Sequence, residues 1–96
     1  MHSDARIHLH LFETSCGGLK APIPSGIYRG TMMFDDIRGY DFRADFLSPF
    51  SPGESRDFDV AFLSPNEVSK LLIIDKKFKI WNGRSVGEGR VLRSFI

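Results

Sequence analysis

The stretch "NGRSVGEGRV", residues 82–91, holds three glycines, two arginines and one glutamate within ten positions. Such a stretch is typical of two structures: a loop that binds phosphate through backbone N–H groups, or a tight turn between two strands. Asn82-Gly83 favours the turn, because both residue types tolerate the positive φ of a two-residue hairpin turn. Gly87 and Gly89 then lie in the returning strand, where glycine marks a bulge or a close backbone contact.

The residues after the last glycine do not suit a phosphate-binding loop. A Walker-type loop needs a lysine and a hydroxyl residue at that point, whereas Arg90 and Val91 follow Gly89 here. No strand-to-helix pattern surrounds the stretch, so the dinucleotide-binding fingerprint fits no better. We therefore predict a β-hairpin.

The rest of the chain alternates between apolar and polar residues. In "ARIHLHLF" (5–12), Ile7, Leu9 and Leu11 share one face and the polar residues between them share the other, which is the pattern of a half-buried strand. The same period of two recurs in "YDFRADFL" (40–47) and "DFDVAF" (57–62), and more weakly in 28–34, 77–81 and 89–95. The alternation predicts six short strands.

The segments between these strands are turn-like, as in "PIPSG" (22–26) and "DIRG" (36–39). The one helical signal is "SPNE" (64–67), in which Ser64 suits a cap and Pro65 a first helical position. Many short strands separated by turns are typical of an all-β barrel or sandwich. We predict a small six-stranded antiparallel β-barrel, because closure removes the exposed sheet edges.

Composition limits the class of protein. The 96 residues suffice for one domain, spanning 1–96, and the 42% apolar residues can form a small core. Cys16 is the lone cysteine and cannot form an internal disulfide, so a reducing compartment is the default. No apolar run approaches the ~18 residues of a membrane span, and the N-terminus lacks the pattern of a signal peptide. We expect a cytoplasmic protein without membrane contact.

The segment "KFKIWNGRSVGEGRV" (77–91) resembles the closing hairpin of the C-terminal, third β-barrel domain of elongation factor Tu and related translational GTPases. The matching positions are Phe78, Ile80, Gly83, Arg84, Ser85, Val86, Gly87, Gly89 and Val91. Upstream matches follow in the same order as in the family: Gly17, Gly18, Pro22, Tyr28, Arg29, Pro52, Gly53 and Pro65. The resemblance covers roughly residues 5–94.

The resemblance implies a six-stranded barrel that stands alone, without the GTPase domain or the middle barrel of these factors. We therefore expect no GTP binding. In the family this domain helps to hold the T-stem of aminoacyl-tRNA, partly through an arginine and a glutamate before the glycine turn. Trp81 and Asn82 occupy those positions here, and Thr31 matches a glutamine that follows the Tyr-Arg pair.

Charge is unevenly distributed, although the net charge is only +1. Residues 76–96 carry six basic side chains against one acid, Glu88, whereas residues 35–59 carry seven acids against three arginines. Lys77, Lys79 and Trp81 share one face of a predicted strand, a pattern that fits either an RNA-binding track or a solvated face that protects an edge. The predicted RNA- or partner-binding residues are Lys77, Lys79, Trp81, Arg84, Arg90 and Arg93.

We find no catalytic constellation. His8 and His10 lie about 7 Å apart on one strand face, where a third ligand would be needed for zinc, and a solvated pair is the simpler interpretation. Cys16 lies in a turn with no activating base defined by the sequence. Asp57 and Asp59 are interpreted as solvent-face charge. The sequence predicts neither a cofactor nor a metal.

Two functional hypotheses follow. The first is a non-enzymatic binding module that interacts with RNA, such as tRNA, or with a translation-related protein. The second is a protein–protein interaction or self-assembly module, including a homo-oligomer, that has lost the translational role. A small hydrolase or metal enzyme built on His8, His10 or Cys16 has the least support.

Overall fold

The computed structural model describes residues 2–96, which form a closed barrel of six antiparallel strands. The prediction of a small all-β barrel is therefore confirmed. The strands are β1 (Ala5–Leu11), β2 (Gly26–Met33), β3 (Gly39–Phe46), β4 (Ser55–Phe62), β5 (Lys77–Trp81) and β6 (Ser85–Ser94). Around the barrel the order is β1-β4-β3-β2-β5-β6, with β1 and β6 paired to close the ring.

The alternation seen in the sequence separates the core from the surface. Ile7, Leu9 and Leu11 of β1 are at most 1% exposed, while the residues between them lie on the outer face. The inner faces of the other strands add aromatic and branched side chains, so the barrel interior is filled. The largest fully buried side chains are Phe50, Ile7, Leu9, Leu11, Met32 and Ile80.

The hairpin of β5 and β6 differs in detail from the predicted two-residue turn. Trp81 pairs with Ser85, which leaves three residues, 82–84, in the turn. Only Gly83 has a positive φ, at 74°, and the N–H of Asn82 donates to the carbonyl oxygen of Arg84 at 2.8 Å. The register shifts between Ile80 and Trp81, so the extra residue on β6 is absorbed beside the turn. Residues 82–84 form this turn and residues 85–91 lie in β6, so a strand and not a helix follows the turn, which contradicts the phosphate-loop alternative.

Gly87 and Gly89 permit the close approach of β1 to β6, as predicted. A Cβ at Gly87 would lie 2.8 Å from the carbonyl oxygen of His10. A Cβ at Gly89 would overlap the carbonyl oxygen of His8 and come within 2.8 Å of the ring of Phe78. These glycines therefore set the distance between the strands that close the barrel.

The contact between β3 and β4 is short and is completed by aromatic rings. Their register contains only two pairs, Phe42 with Phe62 and Arg43 with Ala61. Beyond these pairs, Phe50 from the connecting segment packs against β3 and β4 residues and is fully buried. The segment between β3 and β4 thus fills the gap that strand pairing leaves.

The excursion between β4 and β5 contains the predicted short helix, α1 (Pro65–Val68), followed by a 3₁₀ turn, Ser69–Leu71. Pro65 occupies the first turn, as expected. Ser64 does not cap the helix with its side chain; instead its carbonyl oxygen accepts from the N–H of Glu67 at 3.1 Å. No helix within residues 2–96 is long and apolar enough to cross a membrane.

Asp4 anchors the N-terminal segment to the barrel, a role that the sequence did not predict. Its side chain is 4% exposed and accepts a hydrogen bond from the N–H of Phe62 at 2.8 Å. Its backbone N–H donates to Val60, and its carbonyl accepts from Phe95. One residue therefore connects β4 with the chain segments that flank β1 and follow β6.

Candidate functional site

The outer face of β5 has the arrangement that the sequence predicted. Lys77, Lys79 and Trp81 are exposed, while Phe78 and Ile80 between them are buried. Neither lysine has an ion-pair partner within 4 Å among residues 2–96. The two ammonium groups are therefore accessible to solvent and to ligands.

Strand register brings Arg90 beside these lysines. Lys77 pairs with Arg90 of β6, and Lys79 pairs with Glu88. The guanidinium of Arg90 donates to the carboxylate of Asp75 at 2.9 Å, so part of its charge is already compensated. The basic track is consequently interrupted by acids on the same surface.

Arg84, in the turn between β5 and β6, has its guanidinium hydrogen-bonded to backbone carbonyls. Its Nε donates to the carbonyl oxygen of Gly17 and its Nη2 to that of Gly18, each at 2.9 Å. These carbonyls belong to the turn that follows β1, where Gly17 has a φ of 90°. The guanidinium therefore ties the two glycine-rich stretches together, and a ligand would have to compete with these bonds.

Arg93 lies apart from the other predicted residues. It follows Arg90 by three positions on β6, about 10 Å along the strand. Its guanidinium lies over the ring of Phe95, 5.7 Å from the centroid. The structure thus brings Lys77, Lys79 and Arg90 together and leaves Arg84 and Arg93 elsewhere.

A groove lies between β1, β5, β6 and the end of β2. It is lined by Lys77, Lys79 and Arg90 together with the two histidines of β1, His8 and His10. We call it the histidine groove; it has a volume of about 430 Å³. Its lining combines apolar side chains, such as Phe34 and Phe78, with cations and acids in similar number. The lining residues include His8, His10, Asp35, Asp36, Lys77, Lys79, Glu88 and Arg90.

The histidines make hydrogen bonds across the outer surface of the sheet. His8 Nδ1 lies 2.6 Å from Oδ1 of Asp57, and His10 Nδ1 lies 2.8 Å from Oγ of Ser55. Within residues 2–96 no three His, Cys, Asp or Glu side chains are grouped so that they could hold a metal ion. Asp57 thus has a partner that the sequence alone did not supply.

Cys16 is exposed in the turn after β1. Its Sγ lies 3.9 Å from Oγ of Ser15. A serine hydroxyl is not a general base, so this contact does not activate the thiol.

A second groove lies on the other side of β5, across β2 and β3. We call it the Trp81 groove; its volume is about 660 Å³, within the range of small-ligand sites. Trp81 is 46% exposed and lies directly opposite Thr31 of β2. The lining residues are Tyr28, Arg29, Gly30, Thr31, Asp41, Phe42, Arg43, Ala61, Phe62, Leu63, Trp81 and Asn82.

Two arginines in the Trp81 groove were missed by the sequence analysis. Arg29 of β2 and Arg43 of β3 are exposed and directly opposite each other in the register. In the described chain, 2–96, neither guanidinium has an acid within 4 Å. Like charges placed opposite each other on neighbouring strands are destabilising. The pair is therefore a site where an anion would be favourable.

Other groups in the groove are fixed by local contacts. Oγ1 of Thr31 donates to Oδ1 of Asp41 at 3.0 Å, which places that carboxylate over β2 rather than on an arginine. Tyr28 packs edge to face against Phe42, and burial raises the pKa of its hydroxyl. Tyr28 therefore stays neutral at physiological pH.

The pairing of Arg29 with Arg43 could have been predicted by treating β2 and β3 as a hairpin around their connection and counting residues outward from it. Arg29 and Arg43 are equally distant from position 36 in the "DIRG" connection, so a symmetric hairpin places them opposite each other. In the linear sequence, Arg43 lies within the acidic segment 35–59, which conceals its pairing with Arg29. Linear charge counts miss pairs that form across strands.

Comparison with known proteins adds no family assignment: no model of a protein family matches the chain, and no curated protein matches it.

Proposed function

We propose that this chain is a non-enzymatic binding module that contacts RNA through the Trp81 groove, as its resemblance to the third domain of elongation factor Tu implies. The observation that carries the proposal is the juxtaposition of Thr31 and Trp81. By the resemblance, Trp81 stands where the family contacts RNA and Thr31 stands where the family has a glutamine. The two residues are fifty positions apart in the chain and are direct partners across β2 and β5.

The charges beside this pair support an anionic ligand. Arg29 follows the same outer face of β2 as Thr31, two residues away, and Arg43 lies opposite it. An arginine guanidinium is suited to phosphate because its planar fork can donate two parallel hydrogen bonds. Lys77 and Lys79 lie on the neighbouring strand, where they add long-range attraction for a polyanion.

The test is a titration with tRNA that follows the fluorescence of Trp81, the only tryptophan in the chain. Binding should be detected at about 50 mM salt and weaken steeply by about 200 mM, because phosphate contacts release counterions. The double variant Arg29→Gln/Arg43→Gln should weaken binding at low salt. Lys70→Gln is a control because Lys70 is exposed and lines neither groove. No spectral change at low salt would overturn the proposal.

A protein-binding role is the second candidate, and it rests on exposed apolar side chains in the connections. Ile37, Leu47 and Leu63 are 90%, 98% and 78% exposed, and Ile73 and Ile74 form an adjacent exposed pair. Single exposed apolar residues are common on monomers, so this observation is weaker than the arginine pair. Self-association that persists at high salt, measured by sedimentation, would favour this candidate.

A further inference from the structure

We infer that the Trp81 groove takes an unpaired nucleotide of a single-stranded RNA, with its base stacked on Trp81 and a flanking phosphate on Arg29 and Arg43. This inference rests on the proposed RNA-binding function and goes further by stating which form of RNA is bound. The resemblance to the elongation factor domain points instead to a double-stranded stem.

The indole of Trp81 is available for stacking. It lies at the end of β5 on the outer face and remains 46% exposed. Among residues 2–96 no aromatic ring or guanidinium stacks on it, and its partner across β2 is the small side chain of Thr31. Every nucleobase has a flat π-face, so any of the bases can stack on such a ring.

The arginine pair lies next to the pair of Thr31 and Trp81 on the same outer face of the sheet. Thr31 is directly opposite Trp81, and Arg29 is two residues along the same face of β2, about 7 Å away. The repulsion between Arg29 and Arg43 has no compensating acid within 4 Å in the chain from His2 onward. A phosphate between the two guanidinium groups would relieve this repulsion and accept hydrogen bonds from both.

The shape of the groove favours a single strand over a duplex. Trp81 and Asn82 line the β5 side, and Leu63, 78% exposed, lines the β4 side, so the site is concave and partly apolar. In a duplex the bases are stacked inside and the phosphates face outward, so an indole in a groove cannot reach a base face. Only an unpaired or extruded base can enter.

The experiment compares one labelled RNA strand of about twelve nucleotides with the same strand annealed to its complement, by fluorescence anisotropy. The label is needed because replacing Trp81 removes the intrinsic signal. We expect the single strand to bind at least tenfold more tightly than the duplex. Trp81→Leu should weaken single-strand binding at least about fivefold, and Trp81→Tyr should largely retain it, because the tyrosine ring still stacks.

The arginines are tested by the salt dependence of single-strand binding. Arg29→Gln and Arg43→Gln should each reduce the slope of log K against log salt by about 0.7, because each removes one phosphate contact. Lys70→Gln removes the same charge outside the groove and should leave the slope unchanged. Urea unfolding of every variant checks that the barrel is intact.

The outcomes separate the inference from the function on which it rests. Equal affinity for duplex and single strand, or an unchanged affinity in a folded Trp81→Leu variant, overturns the inference and leaves RNA binding in place. An arginine variant that keeps the full salt slope overturns the phosphate assignment. Failure of both probes to bind at low salt overturns the proposed function itself.

Discussion

Gly89 on β6 lies so close to His8 on β1 that a Cβ at the glycine would overlap the carbonyl oxygen of the histidine. These two strands close the barrel, and their register places the two residues on adjoining rungs of the ladder. The contact joins backbone to backbone, so no rotamer change can relieve it. Closure of the sheet therefore depends on a residue without a side chain at this position.

We expect Gly89→Ala to lower the free energy of unfolding by about 3 kcal/mol, because the new methyl group forces β1 and β6 apart. Urea unfolding followed by circular dichroism measures the change. Gly83→Ala is the matched control: nothing lies within 4 Å of its Cβ position, and only the positive φ of 74° is strained. It should lose about 1 kcal/mol. An unchanged midpoint for Gly89→Ala would show that the strands separate without penalty.

The hairpin and the barrel could be predicted because local signals agree along the chain. Alternation assigned Ile7, Leu9 and Leu11 to the core, and Asn82-Gly83 placed the turn to within a residue. The length of that turn could not be predicted, because the register shift beside Trp81 depends on how β5 and β6 twist together. The order of the strands around the barrel could not be predicted either, because alternation indicates which face of a strand is buried but not which strands are its neighbours.

We expect the stabilising effect of Asp4 to come from its side-chain oxygen, which accepts a hydrogen bond from Phe62, and not from its negative charge. Asp4→Ala leaves the buried N–H of Phe62 without a partner, which costs about 2 kcal/mol. Asp4→Asn keeps a carbonyl oxygen for this bond, so we expect a clearly smaller loss. Urea midpoints of the two variants give the comparison. Equal losses would mean that the carboxylate charge, and not the hydrogen bond, stabilises the N-terminal segment.

Arg84 is expected to act on stability more than on RNA. Both Arg84→Ala and Arg84→Lys should lower the free energy of unfolding by about 1 kcal/mol, because an ammonium cannot bridge the carbonyls of Gly17 and Gly18 as a guanidinium does. Thermal unfolding measures the loss. Full stability together with impaired RNA binding in Arg84→Lys would contradict this expectation and would support the sequence-based prediction that Arg84 contacts RNA.

The candidate site was predictable only in part, because it is formed across strands. The outward positions of Lys77, Lys79 and Trp81 follow from alternation within β5 alone. The arginine pair depends on the register between β2 and β3, and the engagement of Arg84 depends on a loop from the other end of the chain. The pattern within one strand predicts which side chains are exposed. Which exposed side chains lie close enough to bind one ligand depends on how the strands pair in the fold.

Asp35 should make stability depend on acid pH. Hydrogen bonds from the N–H groups of Ile37 and Arg38 hold the pKa of its carboxyl below the usual value. The carboxylate therefore stabilises the fold above about pH 4, and this contribution is lost as the pH falls through the lowered pKa. Asp35→Ala should be less stable than the parent at pH 7, with a difference that shrinks on acidification.

Urea unfolding from pH 7 to pH 2 tests this dependence. Asp36→Ala is the matched control, because among residues 2–96 the Asp36 side chain accepts no hydrogen bond. It should unfold with a pH dependence close to that of the parent. A difference between the parent and Asp35→Ala that stays constant with pH would assign the effect to lost side-chain packing rather than to the carboxylate.

The two basic groups on either side of β5 should differ in their effect on RNA. We expect Arg29→Gln/Arg43→Gln to weaken tRNA binding at about 50 mM salt more than Lys77→Gln/Lys79→Gln, although each variant loses two charges. The lysines share the histidine groove with three acids, Asp35, Asp36 and Glu88, whereas the Trp81 groove is lined by one acid, Asp41, whose carboxylate accepts a hydrogen bond from Thr31. Fluorescence titration of Trp81 compares them directly. Equal losses would indicate attraction by net charge alone, and a larger loss for the lysine variant would move the RNA site to the outer face of β5.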